Sequence, residues 1–170
     1  IWASKPDQTP KTESLYAAEL IADLESQLAS RNELLEIARG EQQATSLDDW
    51  TGAAEAAYGV GDHVASARTY ARAFAAAPAL LSTFPHRYNA ACAATLAGVG
   101  KGTGAEKLTN DERAALRAQA LTWLVAELER WRHDLATGGA KAKDAKEQLA
   151  HVQGDTDFAG EALYKKCLSR

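Results

Sequence analysis

Apolar residues recur along this chain at spacings of three and four, and they do not settle into the period-two alternation of strands. The first stripe comprises Leu20, Ile21, Leu24, Leu28, Leu35 and Ala38, with Glu, Asp, Gln and Arg between. That spacing predicts an amphipathic helix. Thr9-Pro10 suits its start, because a threonine caps well and a first-turn proline gives up only an N–H that has no intrahelical partner. Ser30-x-x-Glu33 has the form of a capping box, which predicts a break near Ala29–Ser30. Gly40 closes the segment. It reads as a packing helix, with a short coiled coil as the alternative.

A second stripe runs through Leu116, Ala120, Trp123, Leu124, Leu128, Trp131 and Leu135. Thr109-x-x-Glu112 opens it as a capping box, and Gly138-Gly139 stops it. Arg113, Arg117, Glu127, Glu129, Arg130 and Arg132 fall mostly outside this stripe. Lys141–Val152 reads as a shorter, more polar helix. Gly154–Gly160 follows as a loop with Phe158 as an anchor, and Glu161–Arg170 as a last helical turn or two.

Between the two stripes lies LDDWTGAAEAAYGVGDHVASARTYARAFAAAP, from Leu47 to Pro78. Ser46 with Asp49 opens a helix, Gly59 and Gly61 bound a turn, and Asp62 caps a second helix. The spacing is similar to the tetratricopeptide pattern, which repeats over about 34 residues. Trp50 takes the first aromatic position, and Ala53, Ala54 and Ala57 stand where Leu, Gly and Tyr are usual. Ser66 takes the small position, Tyr70 the later aromatic one, and Pro78 ends the unit. Small residues at Ala54 and Ser66 let two helices cross closely. A generic alanine-rich helical hairpin is the plainer account of the same residues. A second hairpin begins at His86, with Ala91 on the crossing position and Ala94 on the later one, and its helix ends at Gly98–Gly100.

The fold expected is therefore all-α: antiparallel helical hairpins of tetratricopeptide-like type with flanking helices. Residues 1–9 form a flexible lead-in, 10–40 the packing helix, 46–137 the hairpins and 138–170 a helical cap. The expected core includes Trp50, Tyr70, Trp123, Leu124, Leu128 and Trp131.

Composition narrows the function. The net charge is −4, which offers no basic face for nucleic acid. Cys92 and Cys167 have neither metal nor redox spacing. No apolar run reaches the ~20 residues of a membrane span, and no signal-peptide pattern opens the chain. The expected location is cytoplasmic. The sequence contains no methionine, so it reads as a processed form or a piece of something longer. Gly98–Gly104 (GVGKGTG) is not a phosphate loop, because Gly102 follows Lys101 where a hydroxyl residue is required; it reads as a flexible insertion. Asp155 and Asp157 lack the alternating series of a calcium loop. His63, His86, His133 and His151 are scattered, and nothing marks a nucleophile elbow. No catalytic residue, cofactor or metal is expected.

HRYNAACAATLAG, then KLTNDERAALRAQALTWLVAELERW, carry a further likeness. With YARAFAAAP and Arg117–Leu124 they resemble the tetratricopeptide-like region downstream of the catalytic domain in planctomycete-type bacterial serine/threonine kinases. The likeness spans about half the chain, Ala53–Leu135. It implies a noncatalytic accessory region, with a kinase domain in the same chain as a partner. No kinase chemistry comes with it, since His86-Arg87 is followed by Tyr88.

Scaffolds of this type bind extended peptides along the first helix of each pair. The groove positions implied are Thr51, Glu55 and Tyr58 in the first repeat, and Tyr88, Cys92 and Thr95 in the second, with Asn89 nearby. Thr51 and Glu55 supply no positive charge for a peptide carboxylate, so a basic or neutral peptide suits the groove better. The alternative is a spacer or intramolecular regulatory segment with no ligand of its own. The flanking helices must either cap the short array or fill its groove, and the solvated acidic face of the first helix favours capping.

Overall fold

The computed structural model describes residues 9–82, 85–155 and 157. The lead-in before Thr9, the Phe158 anchor, Cys167 and the turns at Glu161–Arg170 lie outside them. Six α-helices follow in order: α1 (Thr9–Arg39), α2 (Leu47–Gly59), α3 (His63–Ala76), α4 (His86–Gly98), α5 (Asn110–Thr137) and α6 (Gly139–Gly154). Among the described residues there is no strand, so the all-α expectation holds. No helix among them is long and apolar enough to cross a membrane.

Local chemistry accounts for the boundaries. Ser46 and Asp49 exchange side-chain and backbone bonds across the first turn of α2, and Thr109 and Glu112 do the same for α5. Each box satisfies donors that would otherwise be orphaned. The Asp62 carboxylate accepts from Ala65 N at 3.0 Å and starts α3. Pro78 follows the end of α3 and begins a short 3₁₀ turn, Pro78–Ser82. The break expected at Ser30 is absent, and α1 runs through it without interruption. A capping box needs a helix to end before it, and no glycine or proline ends one there.

Packing is chiefly between consecutive helices, most extensively α4 with α5 and α2 with α3. The main core gathers Ala54, Ala67, Tyr70 and Phe74 with the alanines of α4 and with Trp123, Leu124, Leu128 and Trp131 of α5. The Trp123 ring meets Phe74 edge-on at 5.5 Å between centroids. Ala54, Ser66, Ala91 and Ala94 are all fully or almost fully buried, as close helix crossing requires. Trp50 departs from expectation: it is only half-buried and lines a cleft with Ile37, Gln42 and Arg72. It sits where α1 ends, and one helix end cannot cover an indole from all sides.

Two further departures concern polar segments. Glu127, placed outside the apolar stripe by its spacing, is 2 % exposed and buried against α4. Arg87 reaches it at 3.5 Å, and Arg130 pairs with both Glu127 and, at 3.2 Å, Asp134. The carboxylate is buried because cations from two helices neutralise it. The segment read as a flexible insertion is docked instead. Thr103 N donates to Gly61 O at 2.9 Å, tying it to the α2–α3 turn. Gly102 has φ +89°, and a Cβ there would lie 2.3 Å from that same carbonyl oxygen. Arg113 and Arg117 bond the carbonyls of Ala105 and Gly98, at 2.9 and 2.6 Å, fastening the segment to α5.

Candidate functional site

The first helices of the two hairpins, α2 and α4, share one cavity of about 230 Å³. From α2 it is lined by Glu55 and Tyr58, and from α4 by Tyr88, Asn89 and Cys92. These are five of the seven groove positions read from the sequence. The other two stand apart. Thr51 turns its hydroxyl back onto Leu47 O and Asp48 O, at 3.2 and 3.3 Å. Thr95 is 3 % exposed and enclosed by helix packing, because α4 is covered on nearly every side.

Four lining residues were not foreseen: Tyr70, His151, Asp155 and Asp157. The last three come from the end of α6 and the residues just after it. Gly138, at φ +77°, lets the chain leave α5 and return as α6. That return brings the two aspartates over the groove. Tyr58 Oη donates to Asp157 and Tyr88 Oη donates to Asp155. Asp157 N donates to Asp155 Oδ1 at 2.8 Å, so the Asp155 carboxylate also holds the backbone at Asp157. The groove is thus closed along one side by the C-terminal segment. Among the described residues, none of α1 lines the cavity; α1 packs its last turns, through Leu34, Leu35, Ile37 and Ala38, against α2 and α3. The first helix thus stands away from the cavity, and the end of α6 walls one side of it.

The electrostatics follow from burial among these carboxylates. The Cys92 thiol is pushed far above its ordinary range, by burial first and then by Asp155 and Asp157. It stays protonated, with Sγ 3.9 Å from Asp155 Oδ2. Burial also raises Tyr58, Tyr70 and Tyr88, each with a carboxylate adding to the shift. His63, whose ring lies 5.0 Å from Tyr58, is lowered by burial, with Asp157 opposing.

Tyr70 is wholly buried, with the Asn89 side chain beside its hydroxyl. The groups that act on that hydroxyl are Glu55, Asn89 and Cys92, all of which line the cavity. His86 Nδ1 is buried without a hydrogen bond, 3.9 Å from Glu55 Oε1.

Ligand atoms of Cys92, Asp155 and Asp157 lie within 4.8 Å of one another, close enough to share a cation. A protonated thiol is a poor metal ligand, since metals bind the thiolate. Sequence signals for the missed residues were faint. Asp155 and Asp157 sit in a glycine-flanked loop, and only the path of α6 sets them opposite Tyr58 and Tyr88. No family model, curated protein or solved structure matches the chain.

Proposed function

We propose that the chain is a noncatalytic protein- or peptide-binding scaffold of tetratricopeptide-like form. In this reading it is an accessory region of a larger signalling protein, like the kinase-associated regions it resembles. One observation carries the proposal: α2 and α4 place Glu55, Tyr58, Tyr88 and Asn89 around a single cavity. Tyrosines with an amide and a carboxylate make a surface that recognises side chains, because each ring offers both an apolar face and a polar tip. Titration of the ¹⁵N-labelled protein with short peptides tests it. The expected outcome is amide shifts clustered on Glu55, Tyr58, Tyr88 and Asn89. Shifts confined to Lys101–Lys107, or binding indifferent to Tyr88→Ala and Glu55→Ala, would remove the groove and leave a spacer.

A second reading is favoured by the bonds from Tyr58 and Tyr88 to Asp157 and Asp155. In it the C-terminal segment is the groove's own occupant, and the region regulates itself. The double variant Asp155→Asn/Asp157→Asn separates the two. Tighter peptide binding would mark the segment as a competitor, and weaker binding would mark it as part of the site.

A further inference from the structure

We propose that His63 works as an acid-released clasp between the two hairpins. Neutral, its ring holds the segment joining α4 to α5 against the α2–α3 turn; protonated, it lets that segment go. The proposal does not depend on a peptide ligand and is tested without one.

Position is the first argument. His63 opens α3, directly after the cap Asp62. Its ring meets that of Tyr58 in α2, with 5.0 Å between centroids. It also lies against the backbone at Gly102, where an added Cβ would stand 2.6 Å from the ring's Cδ2. Beside that contact Thr103 N donates to Gly61 O at 2.9 Å. One imidazole therefore touches both sides of the joint, the first hairpin through Tyr58 and the docked segment through Gly102.

The second argument is what a proton does there. His63 Nδ1 is buried and has no hydrogen-bond partner. Neutral imidazole leaves one nitrogen bare as an acceptor, whereas imidazolium donates from both. Protonating Nδ1 in place would bury an N–H without an acceptor, and an unpaired buried donor is costly. The nearby carboxylates are engaged: Asp62 accepts from Ala65 N at 3.0 Å, and Asp157 accepts from Tyr58. The first turn of α3 adds to the cost, because the positive end of a helix dipole disfavours a cation.

The charges around the ring come from each neighbour. Asp157, after α6, and Asp62, in the turn, favour the cation; Lys101, in the docked segment, opposes it. Tyr58, from α2, stays a neutral phenol. Burial outweighs the two carboxylates and lowers the ring below the ordinary histidine range. A ring freed to water therefore takes its proton first as pH falls below about 6.5. Docking is at full strength above that pH and weakens below it, because the released state binds more protons.

Amide exchange on the ¹⁵N-labelled whole chain, corrected for intrinsic rates, reads the protection of Thr103 N–H. Ring ¹H–¹³C resonances report the protonation of His63. Protection should be level at neutral pH and fall below about pH 6.5, by at most about tenfold per pH unit, the limit for one proton. The His63 ring should inflect below about pH 6.5. His63→Gln has nothing to titrate, so Thr103 protection should become independent of pH. If that variant folds poorly, Lys101→Gln, at an exposed position, carries the test. Removing this cation should raise the ring's inflection and shrink the acid loss of protection by the same factor. Protection that stays level in acid would overturn the clasp. So would an acid loss that persists in His63→Gln, or a ring inflecting at or above about pH 6.5. An inflection that moves in Lys101→Gln with no matching change at Thr103 would mark a titrating ring that holds nothing.

Discussion

Helices α1 and α4 invert what their sequences suggest. Helix α1 carries large apolar residues at helical spacing, yet Leu20, Ile21, Leu24 and Leu28 are 48–59 % exposed. Helix α4 is rich in small alanines, yet every residue from Ala90 to Gly98 is buried. The difference is one of neighbours. Helix α4 has α3 on one side and α5 on the other, with Asp155 and Asp157 over Tyr88 and Cys92. Helix α1 touches the rest of the described fold only through its last turns. Small side chains let helices surround α4 closely, while a strong apolar stripe guarantees no partner within the same fold. Burial on this chain follows the number of helices within reach rather than the hydrophobicity of the helix itself.

The most severe test of the contrast removes the wall behind α4. Trp131 is 1 % exposed, and its ring lies 6.2 Å from that of Tyr88. Trp131→Ala should cost about 3–5 kcal/mol in denaturant unfolding. A loss below about 1 kcal/mol would mean that α5 does not enclose α4. A smaller effect is expected from overfilling. Ala91 and Ala94 have no exposed surface, so Ala91→Leu should destabilise by about 1–3 kcal/mol. A neutral outcome would show slack between α4 and its neighbours.

The polar side of α4 is tested by alkali. The phenols of Tyr58, Tyr70 and Tyr88 are raised by burial, whereas unfolded phenols ionise near ~10. The unfolded chain therefore releases protons first. Stability is fully present below about pH 10 and should fall as pH rises above it. Phenolate absorbance should show that three of the five tyrosines resist ionisation until the protein unfolds. Free titration of all of them would contradict the closed groove.

The smallest effect belongs to α1. Leu24→Ala, at 48 % exposure, should change stability by no more than about 0.5 kcal/mol beyond its small propensity term. A loss of 2 kcal/mol or more, growing with protein concentration, would show that another copy covers the stripe.

Elements whose boundaries are set by local bonds were legible in the sequence. Both true capping boxes involve residues three apart, and so does the Asp62 cap; local sequence fixes these geometries. Ser30-x-x-Glu33 shows the limit, since the same spacing occurs inside helices and acts as a cap only where a helix has already ended. The groove was half legible. Tyr58, Tyr88 and Asn89 follow from repeat spacing, because α2 and α4 are adjacent first helices. Tyr70 was read as core and is wholly buried, and nothing local shows that it also borders the cavity. Asp155 and Asp157 depend on α5 and α6 carrying them back across 67 and 99 residues of chain, distances that no periodicity spans. Glu127 was misplaced for the same reason: its cation Arg87 comes from another helix.

Because each helix leans mainly on the ones before and after it, cohesion in this molecule is shared along a line. Such arrays come apart from their ends, in steps, more readily than all at once. Helix α6 stands at one end of that line and carries the two aspartates. It can peel away and take one wall of the groove with it while α2, α3 and α4 remain assembled. Amide hydrogen exchange should then run as a gradient, slowest in α4 and fastest toward α6 and the start of α1. The accessibility of the groove would thus be governed by how firmly α6 stays docked on α5.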